Sequence, residues 1–163
     1  MNLLFIIIIC FSFYCCNLKN DNSEESSRNQ DSLYKNFVDS VFWRTNSSIP
    51  DKEKHVMVKE GAKEYHFEKF FSDSKGDLVK YFSYNVNKDY TNHQEFYYLD
   101  DQLILVRLMK VSDGDVVYKS GYYFKNNTEV WNYMAGNDPN TSEALVLRGM
   151  MYLNLYKKGQ NKK

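Results

Sequence analysis

"FYYLDDQLIL", residues 96–105, decides the fold, because the chain repeats its plan at residues 122–131, "YYFKNNTEVW". Each stretch runs an aromatic triplet into a polar turn and returns as an apolar strand. A looser echo, "FFSDSKGDLV", begins at Phe70. Self-similarity of this kind marks a repeated supersecondary unit, and here the unit is a β-hairpin. Aromatic and β-branched side chains fit a pleated, half-buried surface. Aspartate and asparagine suit the turns, because they bond their own backbone and tolerate left-handed conformations.

Outward from these hairpins the pattern keeps a period of two from residue 55 on. Strands are expected at Glu64 to Phe71, Leu78 to Val86, Gln94 to Leu99, Leu103 to Lys110, Val116 to Lys125 and Glu129 to Met134, with His55 to Val58 a short extra candidate. The breaks, SDSKGD, NKDYTN, DDQ, SDGD and NNT, are too short for a parallel crossover, so the sheet is an antiparallel meander. Upstream, "DSLYKNFVDSVFW" places Leu33, Phe37 and Val41 in one i, i+4 column and Tyr34, Val38 and Phe42 in its neighbour. That spacing predicts an amphipathic helix of about three turns, capped by Asp31 or Ser32. Its polar face, Lys35, Asn36 and Asp39, carries too little positive charge to seek lipid headgroups, so the helix packs on its own sheet. Downstream of Gly136 and "NDPN", the stretch "TSEALVLRGMMYLNLYKK" reads as a closing helix with Asn140 and Glu143 as a capping box. Gly149 inside it costs about 1 kcal/mol relative to alanine. The expected fold class is α+β: a meander of five to six strands with an N-terminal and a C-terminal helix packed on one face, the other face at least partly wet. It occupies one domain over residues 32–157, followed by a basic tail over 158–163.

The chain has 163 residues, enough for one core, and 43% of them are apolar. Lysine plus arginine number 21 and aspartate plus glutamate 21, so there is no basic excess of the kind a nucleic-acid binder uses to displace counterions. All three cysteines, Cys10, Cys15 and Cys16, lie at the N-terminus, which excludes disulfides within the domain and cysteine-based zinc sites. From Leu3 to Cys16 only Ser12 interrupts an apolar run, too short for a spanning helix and long enough for a signal-peptide core. Phe13 and Tyr14 stand where an ordinary cleavage site needs small residues. Residues 17–31, NLKNDNSEESSRNQD, hold a single apolar side chain and read as a flexible tether.

An apolar core ending in cysteine and followed by a polar tether resembles the signal of small bacterial lipoproteins. That resemblance covers the signal, the tether and the aromatic hairpin layout. It implies that residues 1–16 direct export, with Cys16 the lipidated residue and Cys15 the alternative, and that the domain is anchored in the cell envelope facing the periplasm or the cell exterior. Phe13 and Tyr14 depart from the smaller residues usual before such a cysteine.

No motif announces catalysis: H-E-x-x-H spacing, G-x-S-x-G and phosphate-cradling glycine loops are all missing from the sequence. His66, His93 and Glu95 would form a metal site only if their strands brought them to one face. No cofactor is implied. The aromatic surplus, Tyr 14 and Phe 11, reads first as cross-strand packing. A platform that engages a protein or glycan partner would draw on Tyr97, Tyr123, Trp131 and Tyr133 of the repeated hairpins. The expected function is therefore that of an exported, lipid-anchored, non-catalytic binding protein. A toxin inhibitor or immunity protein is the sharper version, and an enzyme with an unrecognised site the remaining alternative.

Overall fold

The computed structural model describes residues 28–49 and 64–160. The signal region with its three cysteines, tether residues 17–27, the candidate strand His55 to Val58 and residues 161–163 lie outside the described residues. Helix α1 covers 28–48. Six strands follow: β1 (Tyr65–Ser72), β2 (Leu78–Val86), β3 (Thr91–Leu99), β4 (Gln102–Ser112), β5 (Asp115–Lys125) and β6 (Thr128–Gly136), then helix α2 (Ser142–Gln160). The strands pair in sequence order as one antiparallel meander, so the α+β class and the meander are as the sequence predicts.

Two boundaries differ from the sequence reading. Helix α1 starts at Arg28, so residues 28–31, assigned to the tether, are helical. Helix α2 runs to Gln160, which places Lys157 and Lys158 in its last turn, where cations complement the exposed carbonyls. Its cap is Thr141 rather than Asn140: the Thr141 hydroxyl accepts from the amide of Ala144 at 3.3 Å. Asn140 is occupied elsewhere, donating its backbone amide to Asp138 at 2.9 Å and accepting from Arg148.

The repeated hairpins share their turn geometry. Asp100 and Asp101, Asp113 and Gly114, and Asn126 and Asn127 all have positive φ, so three connections are two-residue turns of the mirror-image type whose twist suits a hairpin. The Phe70 echo has a longer turn, in which the Asp73 carboxylate accepts the amides of Lys75 and Asp77 at 2.8 and 3.0 Å. All three copies nonetheless bulge at the same place, between Phe71 and Ser72, Tyr97 and Tyr98, and Tyr123 and Phe124. The β4–β5 hairpin carries a matching bulge between Lys110 and Val111. These extra residues increase the local twist of the sheet.

The described helices do not share a face. In the body formed by residues 38–160, Phe42 and Asn46 of α1 touch Tyr97, whereas Gly149 and Tyr152 of α2 touch Tyr98 and Phe96. Neighbouring residues of a strand point to opposite faces, so residues 38–48 of α1 and helix α2 cover opposite sides of the sheet. The expectation of both helices on one face is corrected. The physical reason is visible in the central strands, where Phe96–Tyr98, Leu103–Val106 and Tyr122–Phe124 are buried without alternation. Continuous burial is what a strand covered on both sides shows.

The larger core lies under α2. Leu145 and Leu153 join Tyr81, Phe96, Val106, Tyr122 and Phe124, and Tyr152 stacks on Tyr81 with ring centroids 3.8 Å apart. Gly149 has a packing reason: a Cβ there would lie 2.8 Å from Leu103. Its carbonyl accepts from the Tyr98 hydroxyl at 2.8 Å.

Candidate functional site

The face under α1 is built from three aligned rows. Strand pairing sets Lys80, Tyr97, Leu105, Tyr123 and Trp131 side by side in the first. Phe82, Glu95, Arg107, Gly121 and Tyr133 form the second, and Tyr84, His93, Met109, Lys119 and Ala135 the third. Residues 38–48 of α1 cover the first row: Tyr123 donates to Asp39 at 2.7 Å, and the Phe42 ring sits 5.2 Å from that of Tyr97. Arg107, Lys119 and Tyr133 remain at least partly exposed beyond that cover.

At the border between the covered and open parts lies a buried charge cluster. Glu95, 8% exposed, accepts from Lys80 Nζ at 2.6 Å and from Arg107 Nη1 at 3.1 Å. Lys80, itself 6% exposed, also donates to Asn46 Oδ1 at 2.9 Å, and its ammonium stands 5.1 Å from the Tyr97 ring centroid and 5.6 Å from that of Phe82. The Asn46 amide nitrogen donates to the Phe42 carbonyl at 2.9 Å and to the Tyr97 hydroxyl at 3.0 Å, so each of its side-chain polar atoms is used. Burial alone would raise the Glu95 carboxyl, but the neighbouring cationic groups outweigh it and bring the pKa down to about 2. Lys80 is the partner we hold responsible, because His93 Nε2 is 3.8 Å away, beyond hydrogen-bond reach. Burial likewise works against the Arg107 charge, and Glu95 and Tyr133 more than offset it, so its pKa is raised. The Arg107 guanidinium lies 4.6 Å over the Phe42 ring.

Beside this cluster the sheet opens into a cleft of about 270 Å³, lined by His93, Glu95, Arg107, Met109, Lys119 and Tyr133. The Tyr133 ring lies across Gly121, where a Cβ would meet it at 2.3 Å. His93 packs edge-on against Phe82, centroids 5.0 Å apart, and its buried Nε2 has no hydrogen-bond partner among the described residues.

Of the four residues read as a platform, all share this face, but they divide by exposure. Tyr97 and Tyr123 are buried under α1, and burial raises the pKa of both hydroxyls. They are packing residues and cannot meet a partner. Trp131, 37% exposed, and half-buried Tyr133 remain accessible, with Trp131 edge-on to Tyr123 at 5.0 Å. His66 stands on the opposite face from His93 and Glu95, 3.1 Å from Glu68, so the three do not converge. Among the described residues no group of three or more histidine, cysteine, aspartate or glutamate side chains could hold a metal ion. Sequence reasoning missed Lys80, Arg107 and Asn46. The signal for the first two was present: Lys80 shares strand parity with the inward Phe82 and Arg107 with the inward Leu105, where a charge needs a partner.

No protein-family model, curated protein or solved structure matches the chain at a significant level. Among the described residues no helix is long and apolar enough to cross a membrane.

Proposed function

We propose that the protein is an exported binding module held on the outer side of a bacterial membrane by lipid on Cys16, and that it meets its partner through the half of the sheet that α1 leaves open. The observation that carries the binding surface is the cleft beside the buried Glu95, lined by accessible Arg107, Lys119 and Tyr133, with the Trp131 ring 5.9 Å from that of Tyr133. A rigid sheet with aromatic and arginine side chains at the edge of a desolvated cluster has the composition of an interaction hot spot. An inhibitor or immunity protein against a secreted toxin is the narrower form of this reading.

The lipid anchor rests on the sequence: an apolar run ending in cysteine, then residues 17–27 rich in polar side chains. Each buried methylene of an acyl chain contributes about 0.8 kcal/mol, so a multiply acylated cysteine holds a domain without a spanning helix. Fractionation of cells with mass analysis of the purified chain tests it. The wild type is expected in the membrane fraction with an added lipid mass, and Cys16→Ser is expected to lose both. If Cys15→Ser alone removes the mass, the anchor is one residue earlier. A soluble, unmodified wild type overturns the tether.

A further inference from the structure

We propose that the cleft beside Glu95 is a carboxylate-binding site, taking one acidic side chain or a small free acid; this rests on the reading of the open half of the sheet as the binding surface. The charges decide the sign of the ligand. Arg107 and Lys119 line the cleft with one carboxylate, Glu95, which accepts from Arg107 and from the buried Lys80 behind it. Among the described residues that line the cleft, two cations, Arg107 and Lys119, face this one carboxylate. A single negative charge completes it, whereas a cation would face like charge on entry.

The geometry decides the chemistry. Arg107 is held on one face by the Phe42 ring at 4.6 Å and at one nitrogen by Glu95 at 3.1 Å, so the guanidinium is oriented before any ligand arrives. A planar guanidinium fork matches a carboxylate with two parallel hydrogen bonds, and pre-orientation removes part of the entropy cost. Lys119 belongs to the adjacent row, diagonal to Arg107 across the β4–β5 pair. Diagonal neighbours lie about 7–8 Å apart, within reach of long side chains, so the lysine supplies a second point charge. Gly121, opposite Arg107, adds no side chain, and the Tyr133 ring that lies across it forms the far wall. The cleft is open to solvent and small, about 270 Å³ against the roughly 300–1,000 Å³ of sites that enclose drug-sized ligands. One acidic side chain fits that space.

The test is an NMR titration of the full chain in detergent micelles, following the Arg107 side-chain Nε–H. The probes are acetyl-Gly-Glu-Gly-amide and succinate, with the matching glutamine peptide and inorganic phosphate as controls at equal ionic strength. A saturable shift with the glutamate peptide or with succinate, at least tenfold weaker for the glutamine peptide, is expected, since a hydrogen bond to a charged group contributes about 1.5–3 kcal/mol. Saturation by the peptide alone identifies a protein side chain as the ligand, and by succinate alone a free acid. Lys119→Gln, at an exposed position, is expected to fold and to weaken binding several-fold, and Arg107→Gln, followed in both wild type and variant at the Gly121 backbone amide, to abolish it. No saturable shift, equal binding of the glutamine peptide, tighter binding of phosphate, or an unchanged Lys119→Gln overturns the site. A chain that binds the carboxylate but carries no lipid refutes the tether alone.

Discussion

Replacing Glu95 by glutamine removes the charge that Lys80 and Arg107 share while keeping the shape of the side chain. The magnitude follows from the carboxyl itself. Its pKa falls from 4.5 to about 2 on folding, which at about 1.36 kcal/mol per pH unit corresponds to about 3 kcal/mol of stability at neutral pH. Removing one partner of a buried ion pair costs about 3–5 kcal/mol by an independent route, because the other charge is left uncompensated. A folded-state pKa below the unfolded one stabilises above the unfolded value, and that contribution disappears as the pH falls through the folded value. The wild type therefore loses this stability between about pH 5 and pH 2, and Glu95→Gln, with nothing to protonate at that position, does not. Urea unfolding at pH 7 is expected to show Glu95→Gln about 3 kcal/mol less stable, with a melting temperature about 10 °C lower for a body of this size. At pH 2.5 the difference shrinks to about 1 kcal/mol or less. A deficit under 0.5 kcal/mol at pH 7, or one that stays undiminished in acid, would refute the reasoning.

Tyr97→Ala is expected to cost about 3–5 kcal/mol in chemical unfolding, since it empties a buried aromatic site and removes one of the hydrogen bonds of Asn46. Trp131→Ala, at the exposed end of the same row, removes the ring pairs with Tyr123 and Tyr133 and costs about 1–2 kcal/mol. Gly136→Ala forces a Cβ to within 2.1 Å of the Val117 carbonyl oxygen at φ +82° and is expected to lower stability by about 2–3 kcal/mol. Gly76→Ala, at φ +89° but with no described atom within 4 Å of the added Cβ, costs about 1 kcal/mol, both glycine variants being measured by urea unfolding.

The meander was legible because its signals are local. Each turn carries its own aspartate, asparagine or glycine, and those residues take the positive φ that the hairpins need. The side on which each helix packs was not, because strand parity alone does not say which face a distant helix covers. The clue lay in the aromatic triplets: Phe96, Tyr97 and Tyr98 are buried in succession, which requires cover above and below. The site was half legible for the same reason. Tyr97 and Trp131 occupy one row, yet which of them meets solvent depends on Phe42 and Asn46, both more than fifty residues before Tyr97, and on where residues 38–48 of α1 stop covering the sheet. The buried pair of Lys80 and Glu95 likewise follows only once β2 and β3 are in register.

The measurement that tests the binding surface most directly is photo-crosslinking in intact cells from a benzoyl-phenylalanine placed at residue 133, compared with one at residue 147 on the exposed side of α2. The account predicts a discrete adduct from 133 that Lys119→Gln weakens, and none from 147. An adduct from 147 with none from 133 would contradict it.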